Sequence, residues 1–181
     1  MDDAILAATF RQLVDLGYAS LSIESVAAEA GVAKTTIYRR HPTKKDLVLA
    51  ALGAGTPFEP PAIDLPSRQG LEVFVRTAIS MLIDSGAVRI LGSLLVEDRA
   101  EPGLLDAFRA RLLEPRRALV EAMLARGVER GELRADLDPL VVTEMIAGAV
   151  FGHHVILGRP TSEPWIRDLI DHVWRAIEAP P

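Results

Sequence analysis

The spacing of its apolar residues is the feature that most constrains this chain. Apolar side chains recur every three or four residues almost throughout, as Ile5, Phe10 and Leu13 do near the start. This spacing places them on one face of an α-helix. No segment shows the two-residue alternation of a half-buried strand. The sequence therefore predicts an all-α fold of about nine or ten helices.

Four short helices are predicted in the first third of the chain. Each is bounded by residues that favour helix ends, such as serine and threonine caps, glycine and proline. Their predicted limits are Asp2 or Asp3 to Gly17, Ile23 to Ala30 between Ser22 and Gly31, Lys34 to Arg39 or Arg40, and a fourth helix capped by Thr43.

A segment rich in proline and glycine, "GAGTPFEPPAIDLPS", follows these helices and marks a boundary. We therefore predict a first domain over residues 1–54, a connector over 55–67 and a larger helical domain over 68–181. The predicted helices of the larger domain are Arg68–Ser85, Ala87–Arg99, Gly103–Leu113, Pro115–Arg130, Pro139–Leu157 and Glu163–Glu178.

Positive charge is concentrated in the first domain, although the chain has a formal net charge of −5. All three lysines of the chain lie between Gly31 and Leu47, and no acidic residue interrupts the run from Ala33 to Lys45. DNA phosphate is a natural partner for such a cluster, because each Lys or Arg contact releases counterions. A solvated helix surface is the alternative on charge alone.

The segment "SIESVAAEAGVAKTTIYRR" matches a helix-turn-helix pattern. Val26 points inward from the first helix, Gly31 permits the turn and Ile37 anchors the second helix. The outer face and leading end of the second helix then carry Lys34, Thr35, Thr36, Tyr38 and Arg39. Hydroxyls, a phenol and an arginine suit contacts to base edges and phosphates in a groove.

Residues Ile5 to Leu52 resemble the DNA-binding region of the TetR family of one-component transcriptional regulators. The resemblance is carried by "ILAATFRQLVDLGYASLSIESVAAEAGV" and "AKTTIYRRHPTKKDLVLAAL". It implies an N-terminal three-helix helix-turn-helix domain and a helical C-terminal domain that binds an effector and dimerises. The chain is therefore expected to be a cytoplasmic regulator, most readily a repressor that binds a palindromic operator as a homodimer.

The resemblance also implies which residues meet DNA. Ser22 begins the first helix of the motif, and Lys44 contacts a phosphate from the start of the fourth helix, where Thr43 leaves backbone N–H groups free. The recognition helix supplies Lys34, Thr35, Thr36, Tyr38, Arg39 and Arg40. Two residues depart from the family pattern. Glycine is common at the position of Thr35, and an aromatic ring is usual at that of His41, so His41 either packs or reaches DNA.

The last two predicted helices are candidates for the pairing surface of a homodimer. Gly148 and Gly152 lie four residues apart and would let another helix approach closely. A wide apolar stripe follows in the last helix, and an internal core is its alternative explanation. The stripe consists of Trp165, Ile166, Leu169, Ile170, Val173, Trp174 and Ile177.

The C-terminal domain is expected to hold a small effector. Aliphatic residues outnumber aromatic ones, which favours a largely apolar ligand. The candidate pocket residues are Met81, Leu94, Leu95, Phe108, Leu112, Met145, Phe151 and His154. His153 and His154 are adjacent on a helix and point about 100° apart, so they are not predicted to bind one metal ion. No cofactor is predicted.

Other classes of protein are less consistent with the sequence. The nucleophile, phosphate-loop and dinucleotide motifs of enzymes are absent, so no catalytic residue is predicted. The most apolar stretch, "IAGAVFGHHVIL", is interrupted by two histidines and is shorter than a membrane span. A helical protein-interaction module, or a regulator that binds DNA without any ligand, remains the alternative.

Overall fold

The computed structural model describes residues 2–55, 58, 65, 67–84 and 86–180. The described residues form ten α-helices, and their one extended pairing is an isolated bridge between Leu133 and Glu178. The helices are α1 (Asp2–Ser20), α2 (Ile23–Ala30), α3 (Lys34–Arg40), α4 (Lys44–Gly55), α5 (Ser67–Ile79), α6 (Ala87–Glu97), α7 (Leu104–Phe108), α8 (Glu114–Glu129), α9 (Pro139–Phe151) and α10 (Glu163–Ile177). The predicted all-α fold is confirmed.

Helix ends follow the local chemistry that the sequence indicates. Gly17 interrupts α1 with φ 76°, and Gly31 ends α2 with φ 68°, a left-handed conformation that glycine adopts without steric cost. Three predicted longer helices end or continue in π-helical turns, which periodicity does not reveal. These turns are Ser80–Asp84, Arg109–Leu113 and Gly152–Ile156.

Contacts divide the chain into two compact units. The head unit comprises Met1–Pro57 and Ser85–Glu114, and the second unit comprises Phe58–Asp84 and Pro115–Pro181. The predicted boundary assigned all of residues 68–181 to one domain, whereas α6 and α7 pack with the head. The predicted connector, 55–67, lies mostly outside the described residues.

The core of the head unit explains why α6 and α7 belong to it. Fully buried Ile5 on α1 and Leu47 on α4 share one cluster with Ile90 and Leu94 on α6 and Leu104 on α7. Burying one such side chain is worth about 1.5–3 kcal/mol, so these contacts hold α6 against α1 and α4.

The second unit has its own core, formed by one face each of α5, α8, α9 and α10. Leu71, Met123 and Ile146 are among its fully or almost fully buried members. The carboxylate of Glu132 accepts the backbone N–H of Ser67 at 2.6 Å and so caps the start of α5. Arg130 pairs with the same carboxylate, Nε to Oε1, at 2.6 Å.

One helical stretch, Pro139–Ile156, is long and apolar enough by length and composition to cross a membrane, although only 17% of it is buried. Only the shorter segment "IAGAVFGHHVIL" was considered from the sequence, and no membrane span is predicted there. A short apolar helix of this kind is weak evidence for a span.

The Glu132 cap predicts a pH-dependent stability difference. Hydrogen bonds from Arg130 and Ser67 lower the pKa of Glu132 from 4.5 to about 2. A depressed carboxylate pKa stabilises the fold above the unfolded-state pKa, and this contribution is lost as the pH falls through the folded-state pKa. We therefore expect wild type to exceed Glu132→Gln in unfolding free energy at pH 6.

The difference should shrink steadily as the pH falls from about 4.5 towards about 2. Urea unfolding of both proteins, followed by circular dichroism between pH 6 and pH 3, measures it. A difference that stays constant over this range would contradict the role of the Glu132 carboxylate.

Candidate nucleic-acid interface

The turn between α2 and α3 is built from a serine cap, a left-handed glycine and one buried anchor. Ser22 Oγ accepts the backbone N–H of Ser25 at 3.1 Å, which caps the start of α2. Gly31 reverses the chain, and its N–H bonds to carbonyls in the last turn of α2. Ile37 is completely buried and fixes which face of α3 points inward. This arrangement is a helix-turn-helix.

The face of α3 away from Ile37 carries polar side chains at the surface. Tyr38 is 48% exposed, and Thr35 and Arg39 beside it are also exposed. Of the predicted contacts, Lys34, Thr35, Tyr38, Arg39, Arg40 and Thr43 are exposed, and Ser22, Thr36, His41 and Lys44 are partly buried. The exposed set offers the donors and acceptors that major-groove base edges require.

Lys34, at the first position of α3, is paired with an acidic neighbour. Its Nζ lies 2.8 Å from Glu24 Oε1, and both side chains are more than half exposed. The hydrogen bond from Lys34 lowers the pKa of Glu24, so the carboxylate remains charged at neutral pH. Glu24 therefore places a negative charge directly beside a residue predicted to contact DNA.

The end of α3 is tied to the start of α1 through Asp2. Arg40 Nη1 lies 3.3 Å and His41 Nε2 lies 3.7 Å from Asp2 Oδ1. The His41 side chain is only 12% exposed. Of the two possibilities that the sequence left for His41, this structure shows the packed one.

The start of α4 is capped by Thr43, as predicted. Thr43 Oγ1 accepts the backbone N–H of Asp46 at 3.0 Å and donates to Asp46 Oδ2 at 2.8 Å. Arg111 Nη1 lies 3.2 Å from the same carboxylate, Oδ1. The Thr43 hydrogen bond, with a smaller contribution from Arg111, lowers the pKa of Asp46.

Lys44, the first residue of α4, lies against the end of α1. Its Nζ is 4.6 Å from the centre of the Tyr18 ring and donates to the carbonyl of Ala19 at 3.1 Å. Burial lowers the pKa of Lys44, and the nearby carboxylates of Glu101 and Glu97 partly oppose this shift. The ammonium predicted to meet a phosphate is thus held by protein groups.

Several residues that take part in this surface were not predicted from the sequence. Glu24 and Asp2 pair with predicted contacts, and Tyr18 has its ring against Lys44 and its hydroxyl bonded to Glu101. The Tyr18–Glu101 contact spans 83 positions of sequence, so no local spacing indicates it. The Glu24–Lys34 pair could have been found from its position across the turn.

The predicted effector residues are divided between the two units. In the head unit, Leu94 and Leu112 are buried in the core, where they pack against Leu104 and its neighbours, and Phe108 packs against that core. Leu95 is 54% exposed. The remaining four lie in the second unit, where Met145 is exposed and Met81, Phe151 and His154 are partly buried. Leu94 and Leu112 therefore contribute to the core of the head unit, and their part in an effector pocket stays a prediction.

The predicted dimer stripe on α10 is divided between core and surface. Ile166, Ile170, Val173 and Ile177 are buried against α5 and α9 in the same chain, which favours the internal core that the sequence left as the alternative. Trp165, Leu169 and Trp174 are partly buried and pack at the edge of this core. Gly148 and Gly152 lie beside open space, because a Cβ added at either position would have no packing neighbour within 4 Å.

The fold and this surface define a helix-turn-helix DNA-binding protein. The family model for bacterial regulatory proteins of the tetR family matches residues 5–51. The family model for the tetracycline repressor-like C-terminal domain matches residues 66–173. The chain therefore belongs to the TetR family of transcriptional regulators.

Individual relatives are similar along almost the whole chain. The DNA-binding transcriptional repressor TetR of Mycobacteroides abscessus is 33% identical and covers 94% of this chain and 90% of its own. The uncharacterised regulator YdeS of Bacillus subtilis is 26% identical over 97% of this chain and 89% of its own. The crystal structure of the TetR-family regulator SCO0332 is 28% identical, covers 94% of each chain and has a TM-score of 0.69.

The Glu24–Lys34 pair predicts that an acidic residue weakens DNA binding. Glu24→Gln removes a negative charge near phosphate and releases Lys34, so we expect DNA affinity to rise about two- to fivefold. The salt dependence of binding should also become steeper. Fluorescence anisotropy with a labelled duplex, measured across a series of salt concentrations, tests both effects.

Glu29→Gln is the matched control, because Glu29 is an exposed carboxylate on the same helix. Its partners are Arg11 at 2.8 Å and Gln12 at 2.6 Å, and neither is a predicted DNA contact. We expect it to leave the affinity unchanged. Equal gains from both substitutions would indicate a general charge effect and contradict the specific role of Glu24.

Proposed function

We propose that this protein is a homodimeric transcriptional repressor that binds a palindromic operator and is released by a small, largely apolar effector. The observation that carries the DNA-binding part is the exposed face of α3. Tyr38, Arg39 and Thr35 project from it while Ile37 is completely buried on the opposite side. This places base-reading chemistry on a helix whose orientation is fixed by the core.

The two halves of the surface have different roles in the proposal. Arg39 on α3 suits bidentate bonding to guanine, which discriminates between bases. Lys44, together with the N–H groups at the start of α4, suits a phosphate, which is the same at every base pair. Sequence preference therefore depends on α3, and general affinity depends on the start of α4.

Substitutions in the two halves should have separable effects. Arg39→Ala should relax sequence preference at one position in each half-site, with a loss of about 1–3 kcal/mol on the preferred operator. Lys44→Ala should weaken binding about evenly across sequences and reduce the salt slope by about one. Selection from a random duplex library, followed by salt titration of each variant, measures both effects.

Wild-type protein should select an inverted repeat in this experiment, since a two-fold dimer reads two equal half-sites. A similar loss of specificity from both variants would contradict the separation of roles. Failure to enrich any sequence would contradict operator binding by the free protein.

Dimerisation is proposed to use the outer face of α9. Val141 and Met145 are 47% and 45% exposed, and Ile156 beyond the helix end is 70% exposed. Gly148 and Gly152 lie between them, with open space beside each Cα. An apolar stripe with small residues at its centre lets a second helix pack closely, and covering it removes apolar surface from water.

A charge in this face should separate the protomers. Met145→Glu places a carboxylate in the proposed contact, so we expect a monomer in sedimentation-velocity experiments at a protein concentration where wild type is dimeric. Its affinity for the palindromic operator should fall about a hundredfold or more, because the two half-sites no longer bind together.

Val96→Glu on α6 is the matched control, since Val96 is an apolar side chain with 74% exposure in the head unit. It should remain dimeric and retain operator affinity. Dissociation of both variants, or of neither, would contradict an interface on α9.

The effector is proposed to bind within the second unit. The proposal is supported by partly buried Met81, Phe151 and His154, which combine apolar side chains with a polar imidazole. Release of a labelled operator by apolar compounds, compared with polar analogues of equal size, tests the effector class. We further propose that the protein is cytoplasmic and has no catalytic activity. Steady turnover of an effector by the purified protein would contradict the absence of catalysis.

A further inference from the structure

Tyr18, near the end of α1, is a buried side chain at the junction of three elements of the head unit. It is only 3% exposed. Its hydroxyl donates to Glu101 in the turn between α6 and α7, and its backbone N–H donates to Ser93 Oγ on α6 at 2.6 Å. Its ring faces the ammonium of Lys44 on α4 at 4.6 Å.

The backbone beside Tyr18 is adapted to this contact. Gly17 has φ 76°, and a Cβ at this position would lie 2.9 Å from Ser93 Oγ. Only glycine adopts this conformation readily at so close an approach. The position of the Tyr18 ring is therefore set by two hydrogen bonds to the α6–α7 segment and by the close approach of Gly17 to Ser93.

The Tyr18 phenol is held in its protonated, donor form mainly by its burial. Burial, the bond to Glu101 and the negative charges of Glu101 and Glu97 all raise the pKa of Tyr18 above its usual value. The phenol thus remains protonated at any physiological pH, and the Glu101 carboxylate has a permanent donor.

The ring in turn positions Lys44. An ammonium over an aromatic face is attracted by the ring quadrupole, and the Ala19 carbonyl accepts one of its three N–H groups at 3.1 Å. Lys44 remains partly exposed at the start of α4. Two N–H groups are left to share between the ring and an incoming phosphate oxygen.

We infer that Tyr18 and Glu101 are positioning residues for the contact between Lys44 and a DNA phosphate. This inference rests on the proposed function of Lys44. Neither residue touches DNA. Glu101 holds the Tyr18 hydroxyl, the fixed ring holds the Lys44 ammonium, and the ammonium meets phosphate with less loss of side-chain freedom than an unrestrained lysine.

The positioning role of Glu101 can be separated from the electrostatic effect of its charge. As a negative charge, Glu101 attracts Lys44 and repels phosphate, so its charge alone opposes DNA binding. As a hydrogen-bond acceptor, Glu101 fixes the ring and favours DNA binding. Substitutions that remove the hydrogen bond and the charge separately therefore give opposite expectations.

The experiment measures affinity for the selected operator, with its salt dependence, in a set of single and double variants. Tyr18→Phe removes the hydroxyl and keeps the ring. Glu101→Ala removes both acceptor and charge, and Glu101→Gln keeps an acceptor oxygen without the charge. Tyr18→Phe and Glu101→Ala should each weaken binding about three- to tenfold, and the double variant should be no weaker than either single one.

Glu101→Gln should rescue at least the wild-type affinity, because its amide oxygen can accept the Tyr18 hydroxyl. In a Lys44→Ala background, Tyr18→Phe should have no further effect on affinity or on the salt slope. A purely structural role would persist in that background. Thermal unfolding of each variant, followed by circular dichroism, shows whether the proteins compared are folded at the temperature of the binding measurement.

Wild-type affinity in Tyr18→Phe would overturn the inference, as would a loss that is undiminished in the Lys44→Ala background. A Glu101→Ala variant that binds more tightly than wild type would show that charge repulsion outweighs positioning, and would also overturn it. These outcomes require operator binding by wild type. Absence of that binding would instead overturn the proposed function, so the two failures are distinguishable.

Discussion

The burial of Ile37 is the constraint on which the DNA-binding surface depends. Helix α3 has only seven residues, and an isolated helix of that length is not stable in water. Its position therefore comes from tertiary packing, above all from Ile37 in a core shared with α1, α2 and α4. With that side chain inward, Tyr38 and Arg39 must point outward. The same apolar contact thus determines both the stability and the orientation of the recognition helix.

Positive charge on this surface is moderated by contacts within the protein. Lys34 is paired with Glu24, and Arg40 is paired with Asp2. Under the proposed function, Lys34 and Arg40 exchange these partners for a phosphate, which lowers the net gain on binding. We therefore expect such pairing to limit sequence-independent affinity and to leave discrimination to the proposed base contacts of α3.

The sequence predicts local structure well and long-range partners poorly. The limits of α2 and the Thr43 cap follow from adjacent residues, so they were confirmed closely. The assignment of α6 to the head, by contrast, depends on Ile90 and Leu94 meeting residues of α1 and α4 far away in sequence. The α10 stripe shows a related difficulty. Apolar periodicity shows that Ile170 is buried, but it does not show whether the chain itself or a second copy buries it.

The faces of α9 and α10 differ in what the chain itself buries. Ile170 and Ile166 on α10 are buried within the chain, which leaves their helix with a satisfied apolar face. On α9, Val142 and Ile146 point inward while Val141 and Met145 remain exposed on another side. Exposed apolar surface of this kind is removed from water when a partner covers it. This difference is why the proposed pairing surface is on α9, where Gly148 would allow an equivalent helix to approach closely.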